Sequence, residues 1–201
     1  MPGKAILDTL DRAWRAIDAL QVPMAVMGGI SVAVWEHVRA TQDVDLLIGA
    51  CENDVGLVLQ ELAKAKIRPK RHPPVLMLGA TRILQCLYEP PGCFIDIQID
   101  LLFADSDFHR AALARRSPAR LPGLAQEVAV LSCEDLILLK LLAGRVLDRV
   151  DAAALLRANL TSLDLAYLLD WSDKLDLRGE LAAIWSEAFP GEMLPATPQS
   201  S

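Results

Sequence analysis

Aromatic residues are scarce in this 201-residue chain, at 5%, and it holds only three histidines and four cysteines. His37, His72 and His109 are scattered, and no Ser/His/Asp or Cys/His set can be assembled without choosing partners freely. Cys51, Cys86, Cys93 and Cys133 include no close pair of the zinc-knuckle or redox type. They read as reduced, buried thiols, the normal state of cysteine in a reducing compartment. No stretch offers about 18 unbroken apolar residues, so no membrane-spanning helix is expected. Residues 1–20 mix apolar residues with Asp8, Asp11 and Asp18, unlike the basic start and solid apolar block of a secretory signal. These absences point to a cytoplasmic protein. Internal repeats are also lacking.

What is present suits a folded chain. Hydrophobic residues make up 53% and charged residues 23%, with a net charge of -6, which excludes a disordered polyelectrolyte. The length suits one domain with an appended part. The acidity argues against a general nucleic-acid coat, yet basic charge is concentrated locally. Lys64, Lys66, Arg68, Lys70 and Arg71 run to His72 without an acid, and Arg110, Arg115, Arg116 and Arg120 form a second such stretch. Each is either a solvated face or a surface for a polyanion.

Ile6, Leu7, Leu10, Trp14, Ile17 and Leu20 recur at helical spacing, and Pro23 ends that helix. A short strand is expected over 24–27, closing on Gly28-Gly29, then a helix to about His37. A strand over 43–49 and a helix over 54–66 follow. Prolines and glycines punctuate further strands near 75–78, 82–88 and 94–103, with another over 127–131. In the 94–103 segment Ile95, Ile97, Ile99 and Leu101 point one way, while Asp96, Gln98 and Asp100 point the other. From Ser132 onward the pattern is helical, with capping boxes expected at Ser132/Asp135 and Thr161/Asp164. The four tryptophans fall on helical patterns and serve packing. The fold class is therefore α/β (α+β): a mixed sheet flanked by helices over 1–131, a C-terminal helical bundle over 132–190, and a flexible tail over 191–201.

Asp43 and Asp45 flank Val44 at the start of a strand, so their carboxylates share one face. Two adjacent acids repel unless a cation lies between them, and Mg²⁺, a hard ion preferring oxygen, is the natural occupant. Phosphoryl or nucleotidyl transfer often uses two such ions and at least a third carboxylate. Asp100 or Asp96, on a separate strand, can supply it. Gly28-Gly29 stands at a strand-to-helix junction, where bare backbone N–H groups can face a phosphate.

Met27-Gly28-Gly29, thirteen residues, then Asp43-Val44-Asp45-Leu46 resembles the signature of the DNA polymerase β-like nucleotidyltransferase superfamily. The set Arg39, Thr41, Asp43 and Asp45 is similar to the Arg-x-Thr-x-Asp-x-Asp arrangement of small bacterial nucleotidyltransferases, including abortive-infection-type toxin–antitoxin proteins. Ile99-Asp100-Leu101-Leu102 resembles that family's third-carboxylate strand. Glu134-Asp135-Leu136, Lys140, Gly144-Arg145, Asp148 and Asp151 follow its helical segment in order. The resemblance covers most of 24–157.

The resemblance implies a nucleotidyltransfer enzyme that moves a nucleoside monophosphate from a triphosphate such as ATP to an acceptor hydroxyl, releasing pyrophosphate. The acceptor would be an RNA end such as tRNA, a protein or a small molecule. Gly28, Gly29, Ser31, Arg39 and Lys140 would bind the nucleotide, and Asp43, Asp45 and Asp100 (Asp96 alternatively) would bind Mg²⁺ or Mn²⁺. Asp100 would also serve as general base. Arg39 either neutralises phosphate or ties the two acids to the preceding loop. Arg145, Asp148 and Asp151 read as an ion-pair network between helices. The chain departs from the family pattern at Gly29, where many relatives carry a serine whose hydroxyl Ser31 would replace. It departs again at Glu36, where relatives often carry a helix-ending glycine. The alternative is a catalytically weak or inactive interaction protein, one component of a toxin–antitoxin pair that binds its cognate partner through the C-terminal helices.

Overall fold

The period-two alternation in the middle of the chain builds a mixed sheet of eight strands. A computed structural model describes residues 3–37, 40–79 and 81–196. They divide into two compact units, one holding 3–31 with 40–131, the other 32–37 with 132–196.

In the first unit, helix α1 (Lys4–Asp18) buries Ile6, Leu7, Leu10, Trp14 and Ile17 along one stripe. Strand β1 (Met24–Met27) follows Pro23, and helix α2 (Gly28–Val34) starts directly from it. Strand β2 (Asp43–Ile48), a 3-10 turn (Glu52–Asp54) and helix α3 (Val55–Lys64) come next. Then come β3 (Arg68–Pro69), β4 (Val75–Leu78), β5 (Thr81–Tyr88), β6 (Ile97–Phe103), helix α4 (Asp107–Ala114), β7 (Ser117–Ala119) and β8 (Val128–Val130). The sheet runs β3-β5-β6-β2-β1-β8-β7, with β4 also pairing with β5. β2 and β6 are parallel, whereas β1 pairs antiparallel with β2 and β5 pairs antiparallel with β6.

Register sorts the two faces of the sheet. Val44 pairs with Ile99 and Ile99 with Cys86; Leu46 pairs with Leu101 and Leu101 with Leu84. All are fully buried, and α1 lies against β2, β6 and α3. A one-residue slip would turn every one of them to the opposite face, so this core also fixes which residues the other face presents.

The structure trims the expected strand over 94–103. β6 begins at Ile97, while Phe94 and Ile95 are 96% and 66% exposed. The turn around Pro90, Pro91 and Gly92 carries the chain through 94–95 before pairing starts. Sequence alternation did not mark β3, β7 or α4, which are too short or too mixed in polarity to show a period. The helix expected to reach His37 ends at Val34, and Glu36 adopts the left-handed conformation (φ 68) in the turn that follows.

The second unit contains α5 (Cys133–Ala143), α6 (Val146–Asn159), α7 (Leu165–Lys174) and α8 (Arg178–Ala188). Its core includes Leu136, Ile137, Leu155, Leu168, Leu181 and Ile184. The Ser132 hydroxyl accepts the Asp135 N–H at 3.2 Å and donates to the Asp135 carboxylate at 2.7 Å. Gly144, left-handed at φ 65, closes α5. The second expected capping box is absent: Asp164, rather than Thr161, caps α7 by accepting the Tyr167 N–H. The last residues of the expected tail, 197–201, lie outside the described residues.

Lys140 is buried and its ammonium lies 2.9 Å from Asp148 and 2.8 Å from Asp151. Arg145 adds a second cation to Asp148 at 2.5 Å, and His37 lies 3.5 Å from Asp151. Burial opposes ionisation of Asp148, but hydrogen bonds from Arg145 and Lys140 outweigh it and hold the carboxyl below its ordinary value. Its stabilising contribution is therefore present above about pH 3.9 and lost as pH falls through the lower folded-state value. Replacing Lys140 by Met leaves two buried carboxylates without their shared cation. Urea denaturation of Lys140→Met is expected to show a loss of about 3–5 kcal/mol, partly recovered when Asp151→Asn is added.

Candidate active site

On the polar face of the sheet, register joins residues that lie far apart in the chain. Asp45 is paired with Asp100, and Asp100 with Gln85. The neighbouring row is Asp43, Gln98, Leu87 and Arg68. Paired residues project to the same side, about 4.5–5.5 Å apart. Asp43, Asp45 and Asp100, half-buried, thus share one face of adjacent parallel strands.

Backbone geometry fixes Asp45 tightly. Met27 pairs with Asp45, so Gly28, the next residue, turns over that side chain. Gly28 has φ +62, and a Cβ there would fall 1.8 Å from Asp45 Oδ2. Only glycine fits the position, both for its left-handed backbone and for the carboxylate against it.

Asp43 accepts a hydrogen bond at Oδ1 from the Thr41 hydroxyl at 3.1 Å. Asp100 is held by two amides. Gln98 Nε2 donates to Oδ1 at 2.9 Å and Oδ2 at 3.0 Å, and Gln85 Nε2 donates to Oδ1 at 3.2 Å. Both amides are anchored from their other end by cations: Lys70 Nζ donates to Gln98 Oε1, and Arg71 Nη2 to Gln85 Oε1 at 2.7 Å. Burial pushes the Asp100 carboxyl up, the Gln98 and Gln85 amides pull it back, Asp43 raises it again and Lys70 lowers it; the net direction is upward.

Oxygen donors on neighbouring positions suit a hard divalent cation. Among the described residues, however, no three His, Cys, Asp or Glu side chains converge to hold a metal ion as they stand. Asp100 faces its glutamines with both oxygens, so a shared ion requires it to exchange those hydrogen bonds.

The remaining candidates are placed as follows. Asp96 precedes β6 and pairs with Arg68 at 2.6 Å, so of the two alternative third acids Asp100 is the one in register with Asp45. Gly29 is buried beside Gly28 at the start of α2. Ser31 is fully buried, and among the described residues its hydroxyl has no hydrogen-bond partner. Lys140 has the two ion pairs described above. Arg39 lies outside the described residues. A cavity of about 570 Å³ past the opposite ends of β2 and β6 is lined by Gly49, Arg82, Ala104, Asp105 and, from the second basic stretch, Arg110 and Arg116; none of the residues expected to hold nucleotide or metal lines it. Gln98 was visible in sequence as a polar-face neighbour of Asp100. Gln85, Lys70 and Arg71 needed the pairing of β5 with β6 and β3.

No family model matches the chain, and no curated protein does. Solved structures do. A crystal structure of an antigenic nucleotidyltransferase-like protein from Paracoccidioides brasiliensis aligns over 92% of this chain and 96% of its own, at 19% identity and a TM-score of 0.49. The solution structure of the antibiotic-resistance factor ANT(2'')-Ia aligns over 89% of this chain and 91% of its own, at 15% identity and a TM-score of 0.52. The chain has the nucleotidyltransferase fold. Within that fold, the carboxylates occupy adjacent parallel strands and Gly28 closes over one of them.

The raised Asp100 carboxyl has a measurable signature. A raised folded-state value means its stabilising contribution is complete below the ordinary value, about 3.9, and is lost as pH rises through the folded-state value. Carboxyl ¹³C NMR is expected to show Asp100 titrating above about 3.9. Gln98→Leu, which removes two hydrogen bonds favouring the ionised form, is expected to move it higher.

Proposed function

We propose that this chain is a divalent-metal-dependent nucleotidyltransferase that transfers a nucleoside monophosphate from a nucleoside triphosphate to an acceptor hydroxyl. The observation that carries this reading is the Asp45–Asp100 register, with Asp43 on the same face and Gly28 against Asp45. ANT(2'')-Ia, which aligns with this chain, is crystallised with adenylyl-2''-tobramycin, a nucleotidylated acceptor.

Asp43, Asp45 and Asp100 would hold Mg²⁺ or Mn²⁺, which neutralises phosphate charge when bound. Gly28 and Gly29 would offer backbone N–H groups to a triphosphate at the start of α2, a reading supported by the close approach of Gly28 to Asp45. Arg39 belongs to the same motif and would add positive charge. The roles expected of Ser31 and Lys140 require movement, since one hydroxyl is buried and the ammonium already has two carboxylates. In the transfer, the acceptor oxygen bonds to the α-phosphorus while the bond from that phosphorus to the bridging oxygen breaks. Pyrophosphate leaves with the electron pair, and the acceptor proton passes to Asp100. A cytoplasmic location is part of this reading; of the four cysteines expected to be buried, Cys86 and Cys133 are, whereas Cys51 is exposed and Cys93 half-buried.

The two amides on Asp100 favour a second reading, a weakly active or inactive interaction protein, including one half of a toxin–antitoxin pair with a cognate protein partner. One assay separates them. Protein incubated with each α-³²P-labelled nucleoside triphosphate, Mg²⁺ or Mn²⁺ and an acceptor panel of total RNA, protein and small hydroxyl compounds is expected to transfer label. Asp43→Ala or Asp45→Ala is expected to reduce it at least about a hundredfold, the scale of losing one electrostatic catalytic group. Absence of transfer with every triphosphate and acceptor, together with wild-type behaviour of Asp43→Ala in cells, supports the second reading.

A further inference from the structure

The polar face of the sheet changes sign across its width. Its acidic side is β2 and β6, with Asp43, Asp45 and Asp100. Across β5, on the far side from β2, the segment from β3 to Arg71 presents Arg68, Lys70 and Arg71, all exposed. Arg68 is neutralised by Asp96 at 2.6 Å. Lys70 and Arg71 instead donate to Gln98 and Gln85. A primary amide carries no net charge, so these partners orient the two cations without neutralising them. The field of Lys70 reaches Asp100 and favours its ionised form.

The order of strands gives this patch a direction. Gly28, at the end of β1, flanks Asp45 on one side, and Asp100 on β6 flanks it on the other. In-line displacement at phosphorus puts the leaving pyrophosphate and the incoming hydroxyl on opposite sides. If the triphosphate lies toward Gly28, the acceptor enters over β6 and β5. Neighbouring strands are about 4.8 Å apart, so Gln85 lies about 10 Å from the Asp45 position and the backbone of Arg71, one strand further, about 14 Å. One small molecule, or one nucleotide end, spans that distance.

The geometry points to Lys70 and Arg71 as an anion subsite on the acceptor side of Asp100, so that the acceptor carries a phosphate near its reacting hydroxyl. This rests on the nucleotidyl-transfer reading for its orientation. It narrows the acceptor class: a polycationic amino sugar meets like charge here, whereas a phosphorylated compound or an oligonucleotide end meets two oriented donors.

The test measures binding and transfer separately. A fluorescent single-stranded oligoribonucleotide is titrated with protein in EDTA and without triphosphate, at several salt concentrations. The wild type is expected to bind, and Lys70→Gln/Arg71→Gln to bind about tenfold more weakly with a shallower salt dependence. Lys70→Arg, which keeps the charge, is expected to retain binding, and an unchanged melting temperature shows that the double variant is folded. Inorganic phosphate is the competing arm. Efficient displacement assigns the subsite to a single phosphate, as in a small phosphorylated acceptor; weak displacement assigns it to the nucleic-acid backbone. Equal binding by wild type and double variant, or no binding by the wild type, overturns the inference. So does label transfer to neutral or cationic acceptors that the double variant leaves unchanged, an outcome that preserves nucleotidyl transfer. Binding lost in the double variant, without label transfer to any acceptor, supports the subsite and refutes nucleotidyl transfer.

Discussion

The backbone of Gly28 and the carboxylate of Asp45 occupy the space that any side chain at residue 28 would need. That contact ties the strand-to-helix turn to β2, because Met27 and Asp45 are cross-strand partners. The parallel pairing of β2 with β6 then determines which residue of β6 stands beside Asp45, and that residue is Asp100. The apolar rows on the opposite face, Val44–Ile99–Cys86 and Leu46–Leu101–Leu84, make this register costly to change. The core thus positions the acids: burying one face selects the residues offered by the other.

Charge on the polar face is separated rather than cancelled. Gln98 and Gln85 stand between Asp100 and the cations Lys70 and Arg71, donating to the acid and accepting from the base. A direct salt bridge, of the kind Arg68 makes with Asp96, would have favoured the ionised form of Asp100. With amides between them, burial still dominates and the Asp100 carboxyl stays above its ordinary value. In the helical unit the opposite solution is used. Lys140 bonds directly to Asp148 and Asp151, which anchors α5 to α6 and makes that lysine part of the helical unit's framework.

Much of this was legible in the sequence where a local pattern carried it. The apolar stripe of α1, the 24–27 strand before Gly28, the alternation around Val44 and Ile99, and the Ser132 cap each follow from a few neighbouring residues. The Asp43/Asp45 pair and Asp100 were legible for the same reason, since strand alternation assigns each to a polar face. Asp96 shows the limit. It has the same parity as Asp100, but β6 starts one residue after it, and boundaries depend on tertiary pairing. Lys70 and Arg71 were legible as part of a basic run open to a polyanion, but their place beside Asp100, and Gln85 altogether, were not, because only long-range register brings β5 and β3 beside Asp100. Glu36 shows another limit: its left-handed backbone (φ 68) makes a turn that residue type alone argued against.

In the proposed function Asp43, Asp45 and Asp100 would share one cation site despite the hydrogen bonds that now hold Asp100. Anomalous diffraction from crystals grown with Mn²⁺ and a non-hydrolysable nucleoside triphosphate tests it most directly. The predicted result is a manganese peak within about 2.0–2.3 Å of oxygens from all three carboxylates, with Asp100 turned away from Gln98. A structure with the nucleotide bound and no manganese at these carboxylates, or with manganese held by other residues while Asp100 keeps both glutamine contacts, would contradict it.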